Sequence, residues 1–301
     1  MSRWLSFVTG FLLLPAIAAA DLQVVVIEGL GGEDRYVEQF AGQVTAIESA
    51  ASALTTAGRV RVFRSGEYSR DSVIEYFAEL NGSLRADDRL AVFLIGHGSY
   101  DDHEYKFNLA GPDLTGGDLA TMLDEAVAGT QLLVNTGSSS GAISDGLKRD
   151  DRTLILATRS GAERHATRFG NYFAAALSDT GADIDKNNIV TAGEAFQFAE
   201  RQVADYYERN GQLATEHPRI EGSQAGRFGL ARLGSRAPAG TDAELRLLLT
   251  QRDALNADIE ELRLRRDAMS VDAYQADLLE KMLELATLEE RIELREVQLE
   301  E

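Results

Sequence analysis

The sequence predicts an α/β fold with a mostly parallel sheet, followed by an all-α C-terminal segment that forms a helical hairpin or a coiled coil. Three observations predict this. Between residues 21 and 233, short β-branched apolar runs alternate with longer runs of helical spacing. Three of the short runs are apolar at nearly every position, as in strands covered by helices on both faces. Residues 241–301 contain no Gly or Pro and keep leucines at helical spacing.

The predicted elements follow one another as strand and helix along the chain. Strands are expected at Leu22–Ile27, Val60–Phe63, Leu90–Ile95, Leu132–Val134 and Leu154–Ala157. Helices are expected at Tyr36–Ala57, Ser69–Asn81, Leu114–Val127, Phe169–Leu177 and Ala192–Tyr207. The alternation predicts parallel strands joined by helices that lie on both sides of the sheet.

The N-terminus has the features of a secretory signal peptide. Arg3 supplies a positive start, Leu5–Leu14 is apolar, and the small residues Ala18–Ala20 fit cleavage before Asp21. We therefore expect residues 1–20 to be removed on export across the inner membrane, with the mature chain in the periplasm and without a membrane span. The alternative is an uncleaved anchor, for which the apolar stretch is short.

The composition excludes several classes of protein. A net charge of −19 argues against nucleic-acid binding, which needs clustered Lys and Arg. The chain has no cysteine, which excludes disulfides, thiolate metal sites and a thiol nucleophile.

Residues 234–240, with Pro238, read as a linker between residues 21–233 and the helical segment 241–301. The helical segment is interrupted at Met269–Asp272, where Ser270 fits an N-cap. The two helices either fold back on each other or self-associate with a second chain. Their stripes consist of Leu245, Leu248, Leu255, Ile259 and Leu262, and of Leu278, Leu285, Leu288, Ile292 and Leu299.

Chemically active residues follow two of the predicted strands. His97 stands between Gly96 and Gly98 after one strand, and the run Ser138-Ser139-Ser140-Gly141 follows the next. Functional groups gather at the carboxyl ends of parallel strands, so His97 and a serine hydroxyl are expected to face one crevice if these strands are neighbours.

This order of motifs resembles the caspase-like cysteine peptidases, and most closely the legumain branch that includes the GPI transamidase catalytic subunit. The resemblance implies a caspase-like three-layer sandwich over residues 21–233. It places His97 on the catalytic histidine and Ser138 on the nucleophilic cysteine. It also implies that the next strand end lines the substrate pocket, with candidate substrate-binding residues Gly98, Arg159, Ser160 and Glu163.

The absence of a cysteine argues against cysteine-peptidase activity. A serine hydroxyl is far less acidic than a thiol and needs a base in direct contact. We expect an exported peptidase homologue without cysteine-peptidase activity that binds a polypeptide or assembles with protein partners. Alternatives are a serine-type peptidase or amidase that uses Ser138 and His97, and a scaffold that acts through the C-terminal helices. In the simplest alternative the serines only cap the following helix.

A second motif fits a twelve-residue calcium loop, in which oxygen ligands alternate along the chain. Its sixth position is normally Gly, and Asn188 is a substitute that tolerates the left-handed turn. An Asx-rich turn that caps the helix from Ala192 is the alternative. The candidate Ca²⁺ ligands are Asp183, Asp185, Asn187, Ile189, Thr191 and Glu194.

Overall fold

The computed structural model describes residues 21–55, 58–233, 242–264, 266 and 269–300. The predicted signal peptide (residues 1–20) and linker (residues 234–240) lie outside these described residues. Within them, no helix has both the length and the apolar composition needed to cross a bilayer.

The elements alternate as predicted, with additional short strands. The strands are β1 (Leu22–Glu28), β2 (Val60–Phe63), β3 (Arg89–Ile95), β4 (Gly98–Tyr100), β5 (Tyr105–Phe107), β6 (Leu114–Thr115), β7 (Thr130–Asn135), β8 (Arg152–Leu156), β9 (Ile189–Thr191), β10 (Arg219–Glu221) and β11 (Gly229–Arg232). The helices are α1 (Asp34–Leu54), α2 (Arg70–Asn81), α3 (Gly116–Glu125), α4 (Ser144–Leu147), α5 (Phe169–Ala176), α6 (Ala192–Arg209), α7 (Ala243–Leu264) and α8 (Val271–Glu300).

The central sheet has six strands in the order β10-β8-β7-β3-β1-β2. Its neighbours pair in parallel except β10, which runs antiparallel to β8. The prediction of a mostly parallel α/β sheet is thus confirmed. Because β3 and β7 are neighbours, the segments that follow them meet at the same edge of the sheet.

Helices cover both faces of the sheet because the central strands are apolar on both sides. Along β1, Val24 and Val26 pack with the helix layer of α1, α5 and α6. Val25 and Ile27 of the same strand pack with the layer of α2 and α3. A strand buried on both faces therefore carries a continuous apolar run rather than alternation.

One predicted helix start is wrong. Residues Leu114–Thr115 form β6, and the helix begins at Gly116. The Thr115 hydroxyl accepts a hydrogen bond from the Asp118 amide (3.1 Å), and the Asp118 carboxylate accepts one from the Thr115 amide (2.9 Å). This capping box stabilises the helix start two residues later than the apolar spacing indicates.

The C-terminal helices α7 and α8 pair with each other within one chain. Two apolar clusters join them, one of Leu245, Leu248, Leu288 and Ile292 and one of Leu255, Ile259 and Leu285. The Ser270 hydroxyl accepts from the Ala273 amide at 3.3 Å, which agrees with the predicted N-cap. Leu299, predicted on the inner stripe, is half exposed instead.

The hairpin lies beside the amino ends of the parallel strands. A cleft of about 700 Å³ is lined on one side by Leu22 and Arg89, at the starts of β1 and β3, and on the other by Thr250 and Ala254 of α7. The candidate catalytic residues lie at the opposite, carboxyl edge of the sheet. The two parts of the chain thus present separate surfaces.

Candidate functional site

The candidate crevice is formed by the segments that follow β3, β7 and β8, here residues 96–98, 136–141 and 157–163. Backbone atoms of these segments come close together. A Cβ atom added at Gly98 would lie 2.5 Å from the Ser138 carbonyl oxygen, and one at Gly141 would lie 2.3 Å from the Arg159 carbonyl carbon. Glycine at both positions lets the segments meet.

The His97 ring packs against helix α1. Its centroid lies 4.5 Å from that of Tyr36 and 5.0 Å from that of Phe40, with the rings edge to face. Burial lowers the pKa of His97 below its usual value, opposed by a hydrogen bond from the ring to the Gly31 carbonyl. The imidazole is therefore neutral near pH 7.

Ser138 lies against Gly98, the residue that follows His97. Ser138 is 4% exposed, and its backbone carbonyl makes this contact. Within the described part of the chain, no hydrogen bond joins the Ser138 hydroxyl to the His97 ring, whose partners are Gly31 and the aromatic rings of α1. The two predicted dyad positions share the crevice without the contact that serine activation needs.

The other two serines of the run have structural positions. Ser139 is fully buried in a left-handed conformation (φ 56°), and its hydroxyl has no hydrogen-bond partner. The Ser140 hydroxyl accepts from the Thr158 amide at 3.1 Å and lies 3.2 Å from the Thr158 hydroxyl. Ser139 makes no side-chain cap of the following 3₁₀ turn, so the capping alternative is wrong for this residue.

The predicted substrate-binding residues after β8 are Arg159, Ser160 and Glu163. The Arg159 side chain is 65% exposed at the crevice rim, and Ser160 is exposed beside it. The Glu163 carboxylate, by contrast, is largely buried and accepts from the Arg159 amide at 2.9 Å. Gly98 contributes close backbone approach, as described above.

Sequence reasoning missed His217 as a member of this site. The His217 amide donates to Glu163 Oε2 (3.0 Å), and its Nδ1 lies 2.6 Å from Glu163 Oε1. The Glu163 carbonyl in turn accepts from the Ser139 amide at 2.8 Å. Glu163 thus ties together the segments after β7 and β8 and the one before β10. No spacing could reveal a pair 54 residues apart in the chain.

Three carboxylates of the acidic loop lie close together. One oxygen from each of Asp183, Asp185 and Glu194 lies within 4.8 Å of the others. Burial, followed by the charge of Glu194, raises the pKa of Asp185 to about 7. Asn188 adopts the left-handed conformation (φ 64°) expected at the sixth position.

The same loop also caps α6. Glu194 Oε2 accepts from the Thr191 amide and hydroxyl (both 3.0 Å), while its Oε1 accepts from the Ile184 amide at 2.8 Å. The amides of Asn187 and Asn188 donate to Asp183. The capping alternative is therefore shown by these bonds, and the three carboxylates remain within 4.8 Å of one another. Residues Ile189–Thr191 form β9, which pairs with β11.

Comparisons with known proteins identify no family for this chain. No family model and no curated protein matches it. Among solved structures, it is similar to protein GSU0716 from Geobacter sulfurreducens, with 12% identity over 72% of this chain and 96% of that chain and a TM-score of 0.45. At that similarity, functional inference rests on the site geometry alone.

Proposed function

We propose that this chain is a caspase-like protein without peptidase activity that binds a polypeptide in the crevice at the carboxyl edge of its sheet. One observation carries the proposal. The His97 ring is engaged by Tyr36, Phe40 and the Gly31 carbonyl rather than by the Ser138 hydroxyl. A serine without a base in contact is a poor nucleophile, because its alcohol is not deprotonated near neutral pH.

The architecture supports the caspase-like part of the proposal. A mostly parallel sheet lies between two helical layers, as the resemblance implies. His97 follows β3, the serine run follows the neighbouring β7, and Arg159 follows β8, which is next to β7. This arrangement on three neighbouring strands supports the caspase-like part of the proposal.

The surroundings of the crevice support a polypeptide as the ligand. Strand β4 begins directly after His97 and is the edge strand of a three-stranded sheet. An extended polypeptide can pair with a strand edge through its backbone, while pockets read its side chains. The Arg159 guanidinium lies 3.9 Å from Glu163 Oε1 and is 65% exposed at the rim, so it has room to pair with a carboxylate of such a ligand as well. We also propose that the protein acts in the periplasm after removal of residues 1–20.

A chemical and a binding experiment together test the proposed function. We expect a fluorophosphonate probe to leave Ser138 unlabelled, and purified protein to cleave no peptide of a fluorogenic library. Peptides selected from a random display library should bind wild type and Ser138→Ala equally, and Arg159→Ala about tenfold more weakly. The matched control is Arg209→Ala, which changes an exposed arginine on α6.

Two results would replace the proposal by one of its alternatives. Labelling of Ser138 that disappears in His97→Ala would assign a serine-type peptidase or amidase. Peptide binding that survives all crevice substitutions but is lost on deletion of residues 242–300 would assign a scaffold that acts through the helical hairpin.

A second candidate function is calcium binding at the acidic loop. The observation that favours it is the convergence of Asp183, Asp185 and Glu194 on one centre in a chain segment with calcium-loop spacing. Ca²⁺ prefers six to eight oxygen ligands, and the loop offers carboxylates together with the Asn187 side chain and the Thr191 hydroxyl. Because Glu194 also caps α6, a bound ion would join the loop to the start of that helix.

We expect Ca²⁺ to raise the thermal midpoint of unfolding, because an ion that binds only the folded chain stabilises it. At a free concentration one hundred times the dissociation constant, the gain is about 2.7 kcal/mol, which corresponds to several degrees. Differential scanning fluorimetry with Ca²⁺, Mg²⁺ or EGTA measures it. Asp183→Asn should remove the Ca²⁺-dependent shift, and Asp205→Asn on the exposed face of α6 should keep it. Equal shifts in both variants would contradict a site at this loop.

A further inference from the structure

Helix α8 carries a second apolar face that its partner helix does not cover. This outer stripe consists of Leu279, Met282, Leu283, Leu294 and Val297. Their exposures lie between 44% and 62%. Leu279 and Val297 are about five helical turns apart, so they lie on the same side of the helix. The stripe therefore occupies one side of α8 in two groups, residues 279–283 and 294–297.

The outer stripe is distinct from the face that forms the hairpin. Leu285, Leu288 and Ile292 turn toward α7 and are buried there. Single exposed apolar side chains are common on protein surfaces, but five of them on one side of a helix, in two groups, mark an interaction surface. A helix that is apolar on two faces is expected to be covered on both.

The charges around the outer stripe indicate what covers it. Two basic residues of α8 pair with carboxylates of the hairpin. The Lys281 ammonium lies 3.3 Å from the Asp258 carboxylate on α7, and the Arg295 guanidinium lies 2.5 Å from the Asp242 carboxylate just before α7. The outward side also carries exposed glutamates, with Glu280 and Glu289 beside the stripe and Glu290 and Glu293 within it. The apolar stripe thus lies in a negative field, which repels anionic lipid and a second copy of the same face.

Glu290 marks one charged position along the outer stripe. It follows Leu283 by seven residues and precedes Leu294 by four, which places it on the axis of the stripe. Covering this carboxylate with an apolar surface would be costly, whereas a Lys or Arg opposite it offsets the loss of water.

We propose that the outer stripe of α8 binds a basic amphipathic helix of a partner protein, with its apolar face on the leucines and a Lys or Arg against Glu290. Such helices bind apolar grooves and faces through anchors one turn apart. The inference goes beyond the proposed function, because this surface lies on a different part of the chain from the crevice.

The test uses the full chain and a synthetic helical peptide of about twenty residues, with leucines on one face and lysines beside them. Fluorescence anisotropy should show saturable binding of this peptide and none of a version with glutamates in place of the lysines. Leu283→Glu and Leu294→Glu should each weaken binding about tenfold or more. Leu213→Glu is the matched control, since Leu213 is 91% exposed and lies outside the helical hairpin.

A charge exchange separates specific docking from general attraction to an acidic protein. Two versions of the helical peptide are compared, one with a lysine and one with a glutamate at the position opposite Glu290. Glu290→Lys should weaken binding of the first version and strengthen binding of the second. Glu208→Lys, on an exposed position of α6, should change the affinity for both peptides by the same factor. Equal responses to Glu290→Lys and Glu208→Lys would overturn the proposal.

Evidence that a different molecule covers the outer stripe would also overturn the proposal. Sedimentation that shows a dimer dissociated by Leu283→Glu would assign the stripe to a second copy of the chain. Binding to phosphatidylcholine or phosphatidylserine vesicles that Leu283→Glu abolishes would assign it to a lipid surface. We expect a monomer that does not bind either vesicle.

Discussion

Replacing Glu163 by Ala is expected to lower the free energy of unfolding by about 3 kcal/mol, the cost of several charge-assisted hydrogen bonds lost at one site. The Glu163 carboxylate accepts from the Arg159 amide (2.9 Å) and the His217 amide (3.0 Å), and it contacts the His217 ring. Without it, these donors at the carboxyl edge lose their common acceptor. Urea denaturation monitored by circular dichroism and tyrosine fluorescence measures the change.

Two variants make the result for Glu163 interpretable. Glu163→Gln keeps one oxygen acceptor and should lose about half as much stability. Glu67→Ala removes an exposed glutamate and should stay within about 0.5 kcal/mol of wild type. Because Glu163 joins three segments of the crevice, Glu163→Ala should also weaken binding of the selected peptides. A stability equal to that of wild type would show that these bonds do not hold the crevice together.

Arg152→Ala is expected to cost about 3–5 kcal/mol, through a cavity and unpaired buried polar groups. The Arg152 side chain is fully buried at the start of β8. It donates to the Gln131 side chain on β7 (2.9 Å), the Leu147 carbonyl (2.8 Å) and the Asp124 carboxylate (2.8 Å). Chemical denaturation measures the loss. Arg149→Ala is the matched control, because half-exposed Arg149 pairs with the same Asp124 and should cost under about 1 kcal/mol.

The Arg152 contribution should also depend on pH. The hydrogen bond from Arg152 holds the pKa of Asp124 below its usual value. A depressed carboxylate pKa adds stability above the unfolded-state pKa of about 4, and this stability is lost as pH falls through the folded-state pKa. The difference between wild type and Arg152→Ala should therefore shrink in acid. A constant difference between pH 7 and pH 3 would contradict the role of this ion pair.

The inner strands of the central sheet could be predicted because they are buried on both faces. The continuous run Leu90–Ile95 allows no amphipathic alternative, and β3 includes all of it. The strands β9, β10 and β11 were not predicted, because each is three or four residues long and mixed in polarity. Their pairing partners lie far away in the chain, as for β10 on β8. Such strands form through tertiary contacts rather than through local pattern.

The candidate site could be predicted in position but not in orientation. His97 and Ser138 follow two predicted strands, and they meet at one edge because β3 and β7 are neighbours. The direction of the His97 ring depends on Tyr36 and Phe40, which reach it from α1. The involvement of His217 depends on one contact with Glu163. Side-chain partners that are distant in the chain leave no periodic signal.

The most direct test is the acidity of a thiol placed at position 138. The chain contains no cysteine, so Ser138→Cys introduces a single thiol whose thiolate absorbance can be titrated. We predict an apparent pKa at or above the ordinary value of about 8.5, unchanged when His97→Ala is added, because the ring is held by α1. A pKa below about 7 that returns to the ordinary value with His97→Ala would show a coupled dyad and contradict the inactive crevice.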